Sequence, residues 1–424
     1  MAPSLTFLHA ADLHLGAPFR GLRALSEAWA DRLLDAIPEA YDRVIDAALR
    51  RKVDFVVIAG DIFDSARASY ADYLHFFEGL RRLEDAGIPA YLCTGNHDPY
   101  TSWQRDFFAL PPNATMFAAD RPSFALFERD GEPVCVLGGR GYYNQAWSAD
   151  EDIAEGVTRE AAVRELGERA ADAPFGVGVL HTGLDLDPVK APTSPASLLR
   201  AGFDYWALGH IHRRYAVPED NPRLAFSGCI QGRDIKETGE RGVNVVTLQK
   251  GAPNVVEFVP TASVVWQRMD VDVGECANLP EVADKVMREL FRENGRARCE
   301  EMCTRITLVG STPLHAVLAR PGVLEDLRAS INDSYSAFFC DALIDRTSGP
   351  RDTDALRREG LFPAVFLQVA EAQRANREDA VAYVQEEFLK KNLQLPKSYA
   401  KRIDALSAEA ESLVLDLLSR GEGA

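Results

Sequence analysis

Five short stretches hold the residues most able to do chemistry: Asp12-Leu13-His14, Gly60-Asp61, Gly95-Asn96-His97-Asp98, His181, and Gly209-His210-Ile211-His212. They gather five of the eight histidines in the chain. Asp, Asn and His without Cys form a donor set suited to Mn, Fe or Zn rather than Ca or Mg, and unlike a closed structural zinc site. Asp12, His14, Asp61, Asn96, His181, His210 and His212 are too many ligands for one ion and about right for two that share a bridge. Paired divalent ions clamp the attacking and leaving oxygens of a phosphoester and make a nucleophile of water near neutral pH. The leaving oxygen then needs a proton, and His97, adjacent to Asn96, is placed to supply it.

Each stretch alone has an ordinary reading. An Asp after a strand is commonly a cap or turn residue, His-x-His often sits on a surface, and Gly-Asn-His-Asp could be a turn. All five at successive strand ends are harder to dismiss. The other histidines act as a control. His9 lies inside a strand, His75 in a helical pattern and His315 in a later segment, and none follows a strand in a glycine-flanked loop. They are read as structural, with His9 able to support the site from behind.

The elements that must position these residues are short and apolar. Leu5 to Ala10, Asp54 to Ala59, Ala90 to Thr94, Val134 to Leu137, Phe175 to Leu180, Asp204 to Leu208, Leu224 to Phe226 and Val243 to Leu248 read as strands. Most are apolar on both faces, as in a sheet covered on both sides. Helices are expected over Ile37 to Lys52 and Tyr70 to Ala86, the second stopped by Gly87 and Pro89. Strands alternating with helices predict an α/β fold, a sheet sandwich flanked by helices. Sites on such sheets form beyond the carboxyl ends of the strands, where all five stretches fall.

A smaller α+β unit follows a boundary at Val259 to Val265. It comprises strand Arg268 to Val273, helix Pro280 to Arg292, strand Arg305 to Val309, helix Gly322 to Ile331 and strand Ala337 to Asp345. Arg346 to Asp354 reads as a linker, and a charged helical region runs to Ala424. The expected domains are therefore 1–260, 265–346 and 352–424. From Ala400 to Ser419 an apolar face (Ile403, Leu406, Ala410, Leu413, Leu417) suits packing on the chain's own body or docking to a partner helix.

With 46% hydrophobic and 26% charged residues over 424 positions, the composition is that of a globular protein. No apolar run is long enough for a membrane helix, and the amino terminus lacks the basic head of a cleaved signal. The seven cysteines form no Cys-x-x-Cys pair and are read as reduced thiols of a cytoplasmic protein. A net charge of −17 argues against coating nucleic acid by bulk charge. A local site with two cations makes its own positive field.

In this order the five stretches resemble the calcineurin-like metallophosphoesterase superfamily, whose pattern is D-x-H, G-D, G-N-H-D/E, H and G-H-x-H. Three longer stretches are similar to the SbcD and YhaO-like DNA repair exonucleases, relatives of the nuclease subunit of a double-strand-break-repair complex. They are FLHAADLHLGAPFRGL, GDIFD, and YWALGHIHRRYAV with SGCIQGRDIKETGERGVNVV. The resemblance implies a β-sandwich flanked by helices and a Mn-dependent nuclease acting on DNA ends, with Fe or Zn as alternative metals. It implies one metal held by Asp12, His14, Asp61 and His212, and another by Asp61, Asn96, His181 and His210, with His97 the catalytic histidine. It also implies a DNA-binding capping domain, C-terminal helices that bind an SbcC-like coiled-coil ATPase, and a homodimer. Some members carry a histidine where Asp64 stands in GDIFD.

Arg20, Arg23, Arg213, Arg214, Arg233, Lys236 and Arg241 lie near the motifs and favour a nuclease, which needs cations for the DNA backbone. The competing readings are a small-molecule phosphodiesterase or phosphatase of the same fold, and a non-enzymatic architectural subunit.

Overall fold

The structure is a computed structural model. It describes residues 3–18, 26–64, 68–104, 106–107, 109–297, 299–350, 353–358, 362–391, 393–394, 402, 406–407, 410–411 and 413–415. In chain order the elements begin with β1 (Ser4–Ala10), α1 (Glu27–Arg51), β2 (Phe55–Ala59), α2 (Tyr70–Asp85), β3 (Ala90–Cys93), β4 (Ala114–Met116), β5 (Ser123–Arg129) and β6 (Glu132–Arg140). There follow α3 (Arg159–Leu166), α4 (Glu168–Asp172), β7 (Phe175–His181), α5 (Pro195–Arg200), β8 (Tyr205–Gly209), β9 (Tyr215–Val217), β10 (Leu224–Phe226), β11 (Gly242–Gln249) and β12 (Val255–Pro260). The remainder is β13 (Val264–Asp272), α6 (Leu279–Ala297), β14 (Glu301–Val309), α7 (His315–Leu318), α8 (Val323–Ser334), β15 (Phe338–Asp345), α9 (Thr353–Arg358), α10 (Phe362–Ala375) and α11 (Arg377–Lys390).

Two six-stranded sheets, ordered β12-β11-β1-β2-β3-β4 and β5-β6-β7-β8-β10-β9, make the sandwich. In the first, β1 to β4 run parallel and β11 and β12 are antiparallel additions. In the second, β6, β7, β8 and β10 are parallel, with β5 and β9 antiparallel at the edges. Side chains alternate across each strand, and both faces are buried. Phe7, Phe55 and Val57 point into one core shared with Phe175, Val177 and Tyr205 of the other sheet. Their neighbours Leu8, Val56 and Ile58 pack outward under Tyr41 and Val44 of α1 and Phe76 and Leu80 of α2. On the far side Leu180, Trp206 and Leu208 pack outward with Ala162 of α3 and Leu198 of α5. The layers are thus helices, sheet, sheet, helices, the α/β sandwich that the strand patterning predicts.

The chain forms two compact units: Met1–Arg268 with Leu290–Arg305 and Tyr335–Asp341, and Met269–Glu289 with Ile306–Ser334 and Ala342–Ala424. A third sheet runs β13-β14-β15. In the second unit α8 buries Leu327 and Ile331, while α10 leaves Phe362, Val365 and Val369 exposed. Most of the expected helix from Ala400 to Ser419 lies outside the described residues.

Two local expectations change. Helix α1 starts at Glu27, ten residues before the expected Ile37, with Pro38 inside it. Ser26 caps it by accepting the Trp29 N–H, and Leu33 and Ala36 are already buried. The carbonyl that Pro38 leaves without a donor belongs to Leu34, which faces solvent. Strand β5 was not foreseen. It pairs with β6 through Asp130 and Gly131, both at positive φ (55° and 80°), as a two-residue hairpin turn demands. Among the described residues no helix is long and apolar enough to cross a membrane, and all seven cysteines are free thiols.

Candidate metal centre

The five chemical stretches end five parallel strands at one edge of the sandwich. β1 leads to Asp12 and His14, β2 to Asp61, β3 to Asn96 and His97, β7 ends on His181, and β8 leads to His210 and His212. The first three belong to one sheet and the last two to the other. Bringing the two sets together requires backbone without side chains at the meeting points. A Cβ on Gly209 would overlap the Ala59 carbonyl oxygen, and one on Gly60 would lie 2.5 Å from His181 Nδ1. Gly60 also has φ +83°, a conformation glycine adopts without steric cost.

The backbone at the ligands themselves is strained. Asp12, His14, Asp61 and His210 have φ of 52°, 50°, 50° and 100°, each costing on the order of 1–3 kcal/mol in a residue with a side chain. Cross-strand hydrogen bonds hold these turns: Asp12 N–H to Gly60 O at 3.1 Å and His14 N–H to Asp61 O at 3.0 Å. Asp98 holds the next turn, its carboxylate accepting the N–H groups of Gly95 (2.7 Å), Ile62 (2.9 Å) and Asp61 (3.1 Å).

Each clustered histidine uses one ring nitrogen for support, which fixes the other toward the cluster. His14 Nδ1 donates to Asp64 Oδ1 (3.3 Å), and His181 Nδ1 donates to Ala59 O (2.9 Å). His210 Nε2 donates to Asp187 Oδ2 (3.1 Å), and His212 Nδ1 donates to Glu237 Oε1 (2.5 Å). His14 Nε2, His181 Nε2, His210 Nδ1 and His212 Nε2 therefore face inward. His14 Nε2 and His212 Nε2 stand 3.1 Å apart, and two acceptors that close are stabilised only by a cation between them. Asp12 Oδ1 is 3.6 Å from His212 Nε2, and one donor group of Asp12, His14 and His212 lies within 4.8 Å. A second group joins Asp12, Asp61 and His181 within the same distance. Asn96 Oδ1 extends it, 3.1 Å from both His181 Nε2 and His210 Nδ1. Asp61 Oδ2 is 3.3 Å from His181 Nε2 and 3.8 Å from His14 Nε2, so it reaches both groups. Its other oxygen is held by the His97 N–H at 2.8 Å. The inward donors fit two divalent ions with Asp61 shared.

The electrostatics agree with that fit. Burial pushes the His14 pKa down to about 4, leaving a bare lone pair at neutral pH. Burial also opposes charge on His181, yet the Asp61 carboxylate outweighs it and holds the ring at about 9, a measure of the negative field a cation would meet. His97 stands beside the cluster, 39% exposed. Its Nδ1 lies 2.9 Å from Asp64 Oδ1, and that hydrogen bond raises its pKa.

Strand β8 ends at Gly209, one residue past the expected Leu208, and His210 turns into positive φ. The loop sends His210 to Asn96 and His212 to His14, and Ile211 packs partly buried on the outer core.

The basic residues are dispersed. Arg213 and Lys236 are exposed. Arg214 donates to Asn244 Oδ1 and lies over the Phe258 ring. Arg241 is buried and donates to the carbonyls of His212 and Thr238. Arg233 lies among Asp64, Glu237 and His212. Arg20 and Arg23 lie outside the described residues. His9 sits under the site, donating to Leu208 O from Nε2 (3.2 Å) and facing the Tyr205 hydroxyl with Nδ1 (3.0 Å).

The sequence reading missed the supporting carboxylates Asp187 and Glu237 and left Asp64 without a role. Their only sequence signal is position in a loop, Asp187 in GLDLD after His181 and Glu237 in RDIKE between β10 and β11.

Comparison with known proteins follows the same residues. Residues 5–214 match the calcineurin-like phosphoesterase family, and residues 266–348 match the middle domain of the metallophosphoesterase YhaO. The chain is 32% identical over 336 residues to the "Uncharacterized metallophosphoesterase YhaO" of Bacillus subtilis (strain 168), covering 78% of each protein. The chain belongs to the calcineurin-like metallophosphoesterase family. It is a hydrolase fold for phosphoesters, the family uses a dinuclear divalent site, and the two donor groups above are candidates to hold it. More distant relatives are named "DNA double-strand break repair protein Mre11". That of Aeropyrum pernix is 27% identical over 299 residues, covering 69% of this chain and 70% of that protein. That of Methanopyrus kandleri is 22% identical over 382 residues, covering 83% and 75%.

Proposed function

We propose that this metallophosphoesterase is a Mn-dependent DNA nuclease. The observation that carries the reading is the placement of His97, partly open to solvent and backed by Asp64, beside two donor groups that share Asp61. Two divalent ions held by Asp12, His14, Asp61 and His212, and by Asp61, Asn96, His181 and His210, would polarise a phosphodiester and generate a nucleophile from water. The residues of the chain do the rest. Asp64 accepts from His97 Nδ1 and favours the imidazolium, so Nε2 carries a proton for the leaving oxygen. Similarity to proteins named for double-strand-break repair supports DNA as the substrate. The exposed Arg213 and Lys236 make no side-chain hydrogen bond or ion pair among the described residues and are assigned to the DNA backbone. The proposal also includes an SbcC-like ATPase partner, a homodimer, a cytoplasmic setting, and residues 265–346 as a capping domain, the region that overlaps the match to the YhaO middle domain.

A small-molecule phosphodiesterase is the second reading. Arg214 and Arg241 are engaged within the protein, so the cationic rim is thinner than the composition suggests.

The test is a Mn-supplemented assay on end-labelled duplex, hairpin and single-stranded DNA, with and without the ATPase, beside bis-p-nitrophenyl phosphate. The proposal expects DNA cleavage that falls with salt. Hydrolysis of the small diester with every DNA untouched would move the protein to the second reading.

A further inference from the structure

Arg233 lies in the loop between β10 and β11, and sequence alone offers it as one more cation for DNA. Its surroundings say otherwise. Its NH1 is 3.6 Å from Asp64 Oδ1, and its NH2 is 3.4 Å from Glu237 Oε1 and 3.2 Å from His212 Nδ1. Its backbone N–H donates to Glu237 Oε2 at 2.7 Å. The side chain is only 24% exposed. One guanidinium therefore faces two carboxylates, which engage its charge within the protein. A phosphate would meet little free positive charge on this guanidinium, unlike on Arg213 and Lys236, whose side chains make no ion pair among the described residues.

The two carboxylates are not equivalent surface acids. Asp64 holds His97 (2.9 Å) and His14 (3.3 Å), while Glu237 holds His212 (2.5 Å). Without a cation between them, Asp64 and Glu237 would repel each other in a partly buried place. We propose that Arg233 is a positioning residue: it fixes the spacing of Asp64 and Glu237 and through them orients His97 and His212 together. The inference rests on the two-metal phosphodiesterase reading, but not on DNA as the substrate.

The experiment compares the full-length wild type with Arg233→Met, which keeps most of the stem without the charge, and Arg233→Lys. Three measurements are made: steady-state kinetics (kcat and KM) on bis-p-nitrophenyl phosphate with Mn, Mn affinity by calorimetry, and the salt slope of metal-free DNA binding. Arg233→Met should lower kcat and Mn affinity by roughly 10–100-fold, the range for groups that orient metal ligands. KM should change little, and the salt slope should be unchanged. Arg233→Lys should restore part of the kcat. A salt slope reduced by about one with normal kcat on the small diester would make Arg233 a DNA contact and overturn the inference. So would wild-type behaviour in all three readings. A wild type inactive on every phosphodiester would instead sink the underlying enzyme reading. If Arg233→Met is misfolded by circular dichroism, the neutral but polar Arg233→Gln takes its place: an unchanged kcat and Mn affinity together with a lower salt slope would again overturn it.

Discussion

Asp64 Oδ1 lies 2.9 Å from His97 Nδ1. The same oxygen also reaches His14 Nδ1 at 3.3 Å, so one carboxylate orients both the proposed acid and a proposed metal ligand. Replacing Asp64 by Asn keeps the size but removes the charge that favours the imidazolium. We expect kcat to fall about 10–100-fold with KM nearly constant. Removing His97 itself, as Ala, should lower kcat by roughly 10²–10⁴ while both metals remain bound by elemental analysis. Loss of metal on His97→Ala would make His97 a ligand instead.

Asp61 should matter to both ions. Its Oδ2 reaches His181 and His14, which belong to different donor groups. Asp61→Asn is expected to bind neither metal tightly, whereas His210→Ala should keep the ion on the side of His14 and His212. Metal-to-protein ratios after dialysis against Mn distinguish the two, and an Asp61→Asn protein with two tightly held ions would refute the sharing.

The close approach of β2 and β8 depends on a missing side chain. In Gly209→Ala the new methyl would overlap the Ala59 carbonyl oxygen, and backbone yields little, so a loss of several kcal/mol is expected. Gly295 in α6 has open space around its would-be Cβ, and Gly295→Ala should stabilise by about 0.5–1 kcal/mol. Thermal melts of the pair give the comparison. Similar melting temperatures would mean that the two sheets are less tightly seated than described.

Acid should weaken the fold through His9. Burial lowers its pKa from 6.5 to about 3 in the folded chain. Above pH 6.5 the ring is neutral in both states and adds no pH dependence. As pH falls below 6.5 the unfolded chain takes up the proton and the fold does not, so stability drops by up to about 1.4 kcal/mol per unit. His9→Gln can still donate to Leu208 O and accept from Tyr205, without titrating. In EDTA, its melting temperature should fall less than wild type between pH 6.5 and 5. Parallel curves would remove His9 from the account.

Much of this arrangement was legible in the sequence because it is periodic or local. β1, β2, β3, β7 and β8 are short apolar runs, and the chemical residues directly follow or end them, so strand and site are read together. Other parts depend on contacts distant in the chain. Glu237 reaches His212 across 25 positions, and no local pattern marks it as anything but a loop acid. The turn at His210 was not legible, because alternation holds only while a strand lasts and β8 stops at Gly209. Strand β5 did carry a signal, the Asp130-Gly131 pair, but its residues on either side alternate poorly. The start of α1 was hidden by Pro38, which normally begins a helix rather than sitting inside one.

The proposed ligands are drawn from both leaves of the sandwich, three strand ends from one and two from the other. His181 bonds directly across to the end of β2. The centre therefore works as a gauge of how one leaf is seated on the other. A sliding of the leaves that a hydrophobic interior would tolerate separates His181 and His210 from Asp61 and Asn96. Volume changes at Phe7 or Phe55, deep between the leaves, should then register first as lost metal and only later as lost fold. Conversely, ions bound at the rim would act as rivets, making resistance to unfolding a function of metal supply.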